Sequence, residues 1–246
     1  MIAFTDLGRA AFCPRQLYYV RRDAADAGRA GGDRSDADED PRRPPPEARE
    51  RMALAFRYPD LRTAADDRLR TLPIAVDPGT YRRNLDALAD RDPWDRLVDP
   101  ARERAFLSGR DCHGIAHKVL RPADEPSADR ESRDEPPVPT VVSPGDPPES
   151  GVYEPQAVRA VAVAKALAWE REREVPRAFV EYPGHAVVRE VRLTTRKKAA
   201  YRRALRAARS IDGPPPRLRG DPKCDACDYR AECGTRTRSL ASLLGL

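Results

Sequence analysis

EPQAVRAVAVAKALAWERERE, residues 154–174, carries the strongest helical pattern in the chain. Pro155 falls in the first turn, where a helix has no use for the N–H that proline lacks. The spacing of the apolar residues predicts a helix with one face buried against a core. That face comprises Val158, Val161, Ala162, Ala164, Leu167 and Ala168.

Strand patterns lie on both sides of this helix. CHGIAHKVL (112–120) and PTVVS (139–143) precede it, and RAFVEY (177–182) and HAVVREVRL (185–193) follow it. Each is short and rich in β-branched or aromatic residues, as strands are. A strongly basic helical stretch, TTRKKAAYRRALRAARSI, comes next. This order predicts an α/β or α+β fold in which helices flank a small mixed sheet.

The N-terminal part of the chain predicts further helices. TDLGRAAFCPRQLYYVRR (5–22) has helical spacing, with Thr5 as the N-cap and a disturbance at Pro14. Helical spacing recurs in EARERMALAF, TYRRNLDALAD and ARERAFL, which are joined by short loops that contain prolines. We therefore expect an N-terminal helical section ahead of the sheet.

Two polar stretches interrupt these patterns. Residues 23–46 and 121–137 are rich in Asp, Arg and Pro and carry almost no large apolar side chain. Such a composition buries too little surface to order a chain, so we expect a disordered insertion and a disordered loop. The rest predicts one domain over residues 1–246, in which 214–246 form a cysteine cluster and a C-terminal helix.

Composition restricts the possible functions. No apolar run approaches the roughly 18 residues that a membrane span needs, and the first residues lack the pattern of a secretory signal, so we expect a cytoplasmic protein with no membrane partner. There is no glycine-rich phosphate loop, which argues against nucleotide hydrolysis.

Residues 1–154 carry 25 basic and 30 acidic groups, whereas 155–246 carry 20 basic and 10 acidic groups. A polyanion such as DNA would therefore bind the C-terminal part, although a solvated Arg-rich surface would have the same composition.

Three cysteines lie close together in KCDACDYRAEC (223–233), at Cys224, Cys227 and Cys233. Thiolates are the soft ligands that both iron–sulfur clusters and zinc prefer, and spacing does not separate the two. A fourth ligand must come from Cys13 or Cys112. We favour Cys13, which stands at the break in its helix, because Cys112 opens a predicted strand where a thiol can be a packed core residue.

AFCPRQLYY near the start and KCDACDYRAEC near the end resemble the CRISPR-associated Cas-four type exonucleases, a RecB-like family of the PD-(D/E)xK nuclease superfamily. The resemblance implies a restriction-endonuclease-like core. It also implies a 4Fe–4S cluster that closes the C-terminal segment on the N-terminal helix, with zinc as the alternative. The ligands would be Cys13, Cys224, Cys227 and Cys233.

The family's nuclease residues are not found at the matching positions. Such enzymes hold Mg²⁺ or Mn²⁺ with an Asp and a Glu and place a Lys near the attacked phosphate. By the resemblance, His117 stands where the Asp belongs, and Ser143 and Gly145 stand where the Glu and Lys belong. Ala160 replaces an expected tyrosine, and the helical section has no histidine where the family usually has one. We therefore expect impaired catalysis and leave open whether the protein is an enzyme of the exodeoxyribonuclease class.

Two substitutes for the missing carboxylates are open. Asp111, Asp146, Glu149 and Glu154 flank the same strands, although solvated loop acids are their more ordinary interpretation. His113 and His117 alternate along one strand and so share a face, where they would suit a softer metal or a phosphate. Two polar residues on a half-buried sheet are the more ordinary interpretation of that pair.

Several residues predict nucleic-acid binding. Gln156 matches a glutamine of the family that helps to position nucleic acid or active-site groups, and Arg159 lies one turn further along. The candidate phosphate contacts are Arg159, Arg196, Lys197, Lys198, Arg202, Arg203, Arg206 and Arg209. Our leading hypothesis is a catalytically impaired, cluster-bearing relative of these exonucleases that binds DNA or a partner in CRISPR adaptation, antiviral defence or DNA repair. The alternatives are an active metal-dependent exonuclease and a zinc-stapled interaction protein.

Overall fold

A six-stranded mixed sheet forms the centre of the computed structural model, which describes residues 1–29, 43–122, 136–218 and 221–234. Short 3₁₀ turns occur at Leu54–Phe56 and Pro222–Cys224. The helices and strands in chain order are β1 (Ile2–Ala3), α1 (Phe4–Phe12), α2 (Pro14–Arg29), α3 (Pro46–Ala53), α4 (Tyr58–Thr63), α5 (Asp66–Arg70), α6 (Pro78–Ala89), α7 (Trp94–Val98), β2 (Arg102–Ser108), β3 (Cys112–Leu120), β4 (Val138–Val142), α8 (Glu154–Glu170), β5 (Arg177–Tyr182), β6 (Val187–Arg192), α9 (Thr195–Arg209) and α10 (Arg230–Cys233). The predicted α/β class, with helices flanking a mixed sheet and a helical section near the start, is confirmed.

Two strands, β1 and β4, share one edge of β3, the longest strand of the sheet. β2 pairs along almost the whole of β3, so β1 and β4 must both pair with the opposite edge of that strand. β1 takes Cys112 and His113, whereas β4 takes Lys118 to Leu120. Among the described strands, none pairs with residues 114–117 on this edge. The gap between β1 and β4 is called the sheet fork below.

Each face of the sheet has its own core. One face packs against α1, α8 and α9, and the other packs against the helical section α3–α7. α8 is buried over nearly all of its circumference, not on the single face that its pattern predicts. Its many alanines allow close contact: a Cβ added to Gly109 would lie only 2.8 Å from the Cα of Ala166. The small side chains of α8 therefore allow its neighbours to pack closely around it.

The pattern of ARERAFL was misleading, because these residues form strand β2 and not a helix. Leu107 is fully buried, whereas its neighbour Phe106 is 61% exposed. Phe106 pairs directly with Ile115 of β3. The six-residue register with β3 decides the conformation here, since seven residues are too few for helical spacing to be distinctive.

The break at Pro14 is confirmed, although the predicted cap is wrong. α1 begins at Phe4 with Ala3 as its N-cap and no side-chain cap, so Thr5 lies inside the helix. Cys13 has an extended backbone, with φ −161° and ψ 116°, and separates α1 from α2. The cause is Pro14, because the residue before a proline is driven away from helical geometry.

The predicted polar stretches lie mostly outside the described residues. The first was placed too early, since residues 23–29 are the last turns of α2, and α3 begins already at Pro46. Residues 30–42 and 123–135 are not described, and neither are 235–246, so the C-terminal helix is seen only as the short α10. None of the helices in the described ranges is both long and apolar enough to cross a membrane.

Candidate metal centre and nucleic-acid interface

The four cysteines that were predicted as ligands line one cavity of about 20 Å³. Cys13 reaches it from the break between α1 and α2. Cys224 ends a 3₁₀ turn, Cys227 follows in the next turn, and Cys233 ends α10. Gly234 then adopts a left-handed conformation, with φ 62°, which ends α10 directly after Cys233. Residues 200 and more apart in the sequence thus meet at one small opening.

Contacts with α2 hold the C-terminal segment in this position. The rings of Tyr19 and Tyr229 stack with their centroids 5.3 Å apart. Arg22 forms a 2.6 Å ion pair with Glu232 and also lies over the Tyr19 ring. Arg15 donates a 2.7 Å hydrogen bond to the carbonyl oxygen of Pro215. α2 therefore supplies an aromatic and cationic surface on which the cysteine segment packs.

Both positive and negative groups lie beside the thiols, since Lys223 pairs with Asp221 and Arg230 with Asp225. Arg15, Lys223 and Arg230 line the same cavity, and Gln16 Nε2 lies 3.8 Å from the Sγ of Cys227 as a hydrogen-bond donor. Desolvation raises the pKa of the Cys227 thiol, so the isolated thiol keeps its proton at neutral pH. Metal binding would release that proton, and the charge of Arg15 would then offset part of the thiolate charge.

The donor set of four thiols suits either a single zinc ion or an iron–sulfur cluster. Around one zinc ion, four thiolates would stand about 3.8 Å apart, as tetrahedral bonds of about 2.3 Å require. Within the described ranges, no three or more His, Cys, Asp or Glu side chains are grouped so that they could hold a metal ion. Four cysteines are also the ligand number of a 4Fe–4S cluster, in which each thiolate binds a different iron.

Cys112, the other candidate for the fourth ligand, lies elsewhere. It is 1% exposed in the core beneath α8. Its Sγ lies 3.6 Å from the carbonyl oxygen of Ala162 and 3.5 Å from the hydroxyl of Tyr201. Burial raises the pKa of this thiol. The structure therefore gives Cys112 the surroundings of a packed core residue.

His117 and Ser143 lie together at the sheet fork. His117 Nδ1 accepts a 3.1 Å hydrogen bond from the backbone N–H of Val142, so the proton of the neutral ring is on Nε2. Desolvation, with smaller contributions from Arg159, Lys118 and Arg104, lowers the pKa of His117 to about 3. The imidazole is therefore neutral at physiological pH. It bridges the fork as a hydrogen-bonding group where the family resemblance expected a metal carboxylate.

The other matched positions offer no carboxylate either. Ser143 is buried, and its hydroxyl accepts a 3.4 Å hydrogen bond from Gln156 Nε2. Gly145 is exposed, and a Cβ added to it would meet nothing within 4 Å. His113 lies against Phe106, with ring centroids 6.0 Å apart, and its Nδ1 is buried without a partner. Ser143, Gln156 and His117 are thus brought together, whereas Gly145 faces solvent.

The acids that were considered as substitutes are dispersed. Asp111 pairs with Arg209 at 2.7 Å, Glu154 pairs with Arg203 at 3.2 Å, and Asp146 lies 2.8 Å from His185. Glu149 is exposed beyond β4. Each carboxylate that has a partner therefore faces a basic group and not another acid. A divalent cation needs several convergent carboxylates, which these positions do not supply.

α9 presents most of its basic residues to solvent. Its buried side, which packs on α1 and α8, consists of Ala200, Tyr201, Ala204, Leu205 and Ala208. Arg196, Arg202, Arg203, Arg206 and Arg209 are exposed on the other side, while Lys197 and Lys198 are half-buried. Within the described part of the chain, Lys198, Arg203 and Arg209 form ion pairs and the other four do not. Arg159 is not on this surface but lies half-buried near His117.

One buried pair was missed in the sequence. Lys118 Nζ lies 3.0 Å from Glu181 Oε2, and both side chains are at most 1% exposed. Lys118 also donates a 2.6 Å hydrogen bond to the carbonyl oxygen of Ala55. A charged residue inside an apolar strand, as in AHKVL and AFVEY, is the signal that would have indicated such a pair.

A scan against models of protein families found no match to the chain, and a search of curated proteins also returned none.

Proposed function

We propose that this protein is a cytoplasmic DNA-binding protein that holds an iron–sulfur cluster through Cys13, Cys224, Cys227 and Cys233 and does not cleave DNA by the metal-dependent route of the nucleases it resembles. The observation that carries the proposal is the four-thiol cavity, combined with a sheet fork where the described residues at the matched positions are His117 and Ser143 and not carboxylates. A place in CRISPR adaptation, antiviral defence or DNA repair remains a prediction from the resemblance.

The surroundings of the thiols support the cluster. Four cysteines face one opening beside Arg15, whose charge would offset part of the negative charge of a thiolate-bound cluster. Gln16 would donate a hydrogen bond to one sulfur. When bound, the cluster supplies an inorganic cross-link between the N-terminal helices and the C-terminal segment.

The exposed side of α9 supports DNA binding. Arg196, Arg202 and Arg206 project from one side of a long helix and have no ion pair with any residue that the structure describes. Guanidinium groups spaced along such a surface bind backbone phosphates and give binding that weakens with salt. Among the described residues, the acids near the fork strands pair with basic groups and do not converge, which supports binding without cleavage.

The experiment is to purify the protein without oxygen, measure iron, sulfide and zinc, and record binding of labelled single-stranded DNA at increasing salt. We expect about four iron atoms in each chain. DNA binding should be tight at low salt and weaken steeply as salt is added, and DNA should stay intact with Mg²⁺ or Mn²⁺. Zinc without iron, or no binding at low salt, would reject the proposal. Degradation of DNA ends with Mn²⁺ would establish the exonuclease alternative.

A matched pair of double variants tests the α9 surface. Arg202→Ala with Arg206→Ala removes two exposed charges from α9, whereas Arg62→Ala with Arg70→Ala removes two from the helical section. We expect only the α9 pair to lower the salt dependence of DNA binding, by roughly 1.4 in the logarithmic slope. Equal effects of the two pairs would mean that α9 is not the contact surface.

A further inference from the structure

Arg159 occupies an unusual position between two helices. It projects from the second turn of α8 across α1, directly over Gly8. A Cβ added to Gly8 would lie 2.8 Å from Cγ and 2.7 Å from Cδ of Arg159. Gly8 therefore leaves the space through which the arginine side chain reaches the sheet fork.

The Arg159 guanidinium has no counter-charge in the described part of the molecule. It makes no hydrogen bond or ion pair with any described residue, and its Nε is buried without a partner. Burial, with a smaller contribution from the positive charge of Arg9, lowers its pKa to about 10, so the group is still charged at neutral pH. Arg159 is half-buried, and leaving its buried Nε–H unpaired is costly, so an anion that accepts from this donor would stabilise the site.

The charges of described residues that act on Arg159 and His117 are all positive. The charges that act on His117 come from Arg159, Lys118 and Arg104, and all three are cationic. The one acid in the adjoining strand, Glu181, is already bound to Lys118 on the opposite face of the sheet. The fork thus has the reverse of the charge that a divalent cation requires.

Neutral donors complete the site. The neutral ring of His117 carries its proton on Nε2, because Nδ1 accepts from Val142. The Gln156 amide contacts Ser143 through one end, and its other end is buried without a partner. Turning that amide over would let Ser143 donate to its oxygen and would leave the NH₂ group free as a donor.

We propose that the sheet fork is a fixed binding site for one backbone phosphate of single-stranded DNA, held by the guanidinium of Arg159 with His117 and Gln156 as neutral donors. A guanidinium binds a phosphate through two parallel hydrogen bonds, which suits a single fixed group. The proposal rests on the DNA binding proposed above and adds a defined contact at the position where related nucleases hold metal. Positive side chains in place of carboxylates at the fork would favour binding of an anion over binding of a metal ion.

The first test uses Arg159→Met, which keeps the packing over Gly8 and removes the charge. In the cluster-loaded protein, we expect the Kd for single-stranded DNA to rise about tenfold or more, as for a lost charge-assisted hydrogen bond. The logarithmic salt slope should fall by about 0.7. The control, Arg70→Met on α5, removes an exposed charge and should change neither quantity.

A second test does not depend on DNA. Sodium phosphate should raise the Tm of the wild-type protein more than sodium chloride does at equal ionic strength, and Arg159→Met should lose the part of this rise that saturates at low phosphate concentration, whereas the general stabilisation by phosphate should remain. Gly8→Ala, which displaces the arginine side chain, should do the same if the first variant folds poorly. Normal DNA binding by the wild type with unchanged affinity and slope in Arg159→Met would overturn the phosphate site alone. Failure of the wild type to bind DNA would overturn both proposals.

Discussion

Lys118 and Glu181 place two full charges inside the protein, where each needs complete compensation. The Lys118 ammonium contacts Glu181 and the carbonyl oxygen of Ala55, and it lies 4.9 Å from the centre of the Tyr58 ring. Thr140 donates a 2.5 Å hydrogen bond to the other carboxylate oxygen. Because every charged atom has a partner, the pair joins β3, β5 and the helical section without leaving a charge exposed to the core.

Removing one member of this pair should be far more harmful than removing both. We expect Lys118→Met to lower the free energy of unfolding by roughly 3–5 kcal/mol, because Glu181 is left buried without its cation. Denaturant unfolding at pH 7 measures the loss. The double variant Lys118→Met with Glu181→Gln should recover most of it, since the amide needs no counter-charge. A double variant as unstable as the single one would contradict this account.

Single residues differ in how far their role could be predicted from the sequence. Cysteines are few, so the grouping of Cys13 with the C-terminal three followed from motif and resemblance. The burial of Arg159 did not, because it depends on the space above Gly8, a residue 151 positions earlier. The partnership of Lys118 with Glu181 spans 63 residues. Local pattern contains no information about which distant side chains meet.

At the scale of helices and strands, long periodic segments were predicted well and short ones were not. α8, α9 and the strands at residues 112–120 and 177–182 form where their patterns predict, although α8 is buried on more than its predicted face. β2 was misread because its conformation is set by pairing with β3. The close packing of α1 on β3 was also not visible in the sequence, since it depends on the absence of a side chain at Gly114.

Gly114 joins the first helix to the sheet. Its φ is +145°, and an added Cβ would lie 2.8 Å from Cδ2 of Phe4. We expect Gly114→Ala to lower the free energy of unfolding by roughly 1–3 kcal/mol, because it combines backbone strain with a displaced α1. Gly145→Ala is the matched control, as it meets open space. Denaturant titration of both variants checks the prediction, and equal stabilities would contradict it.

At the scale of the whole molecule, the two ends of the described chain meet beside α2. Stacked tyrosines, the Arg22–Glu232 ion pair and the cysteine cavity are the contacts that join the C-terminal segment to the N-terminal helices. The short 3₁₀ turn and α10 that make up this segment bury no residue of their own. The segment therefore has little core to keep it folded if its thiols are not bound.

Loss of one ligand should consequently release this segment. We expect Cys227→Ser to lose most of its iron, to aggregate on heating and to be cut by trypsin after Lys223 or Arg230, because the segment has no core of its own. Cys112→Ser, in the interior, should keep its iron. Iron analysis and limited proteolysis of anaerobic protein measure both effects. Equal iron loss in the two variants would make Cys112 the fourth ligand instead.

The packing of α1 determines the order in which the molecule can be assembled. α1 lies against α8 and α9, so its partners are synthesised some 150 to 200 residues after it. Contacts so distant in sequence form slowly, since a long loop must close before they are gained. During synthesis, α1 therefore cannot complete its packing until nearly the whole chain has been made. If the proposed cluster is present, iron and sulfide would accordingly reach Cys13 among the last events in the maturation of the protein.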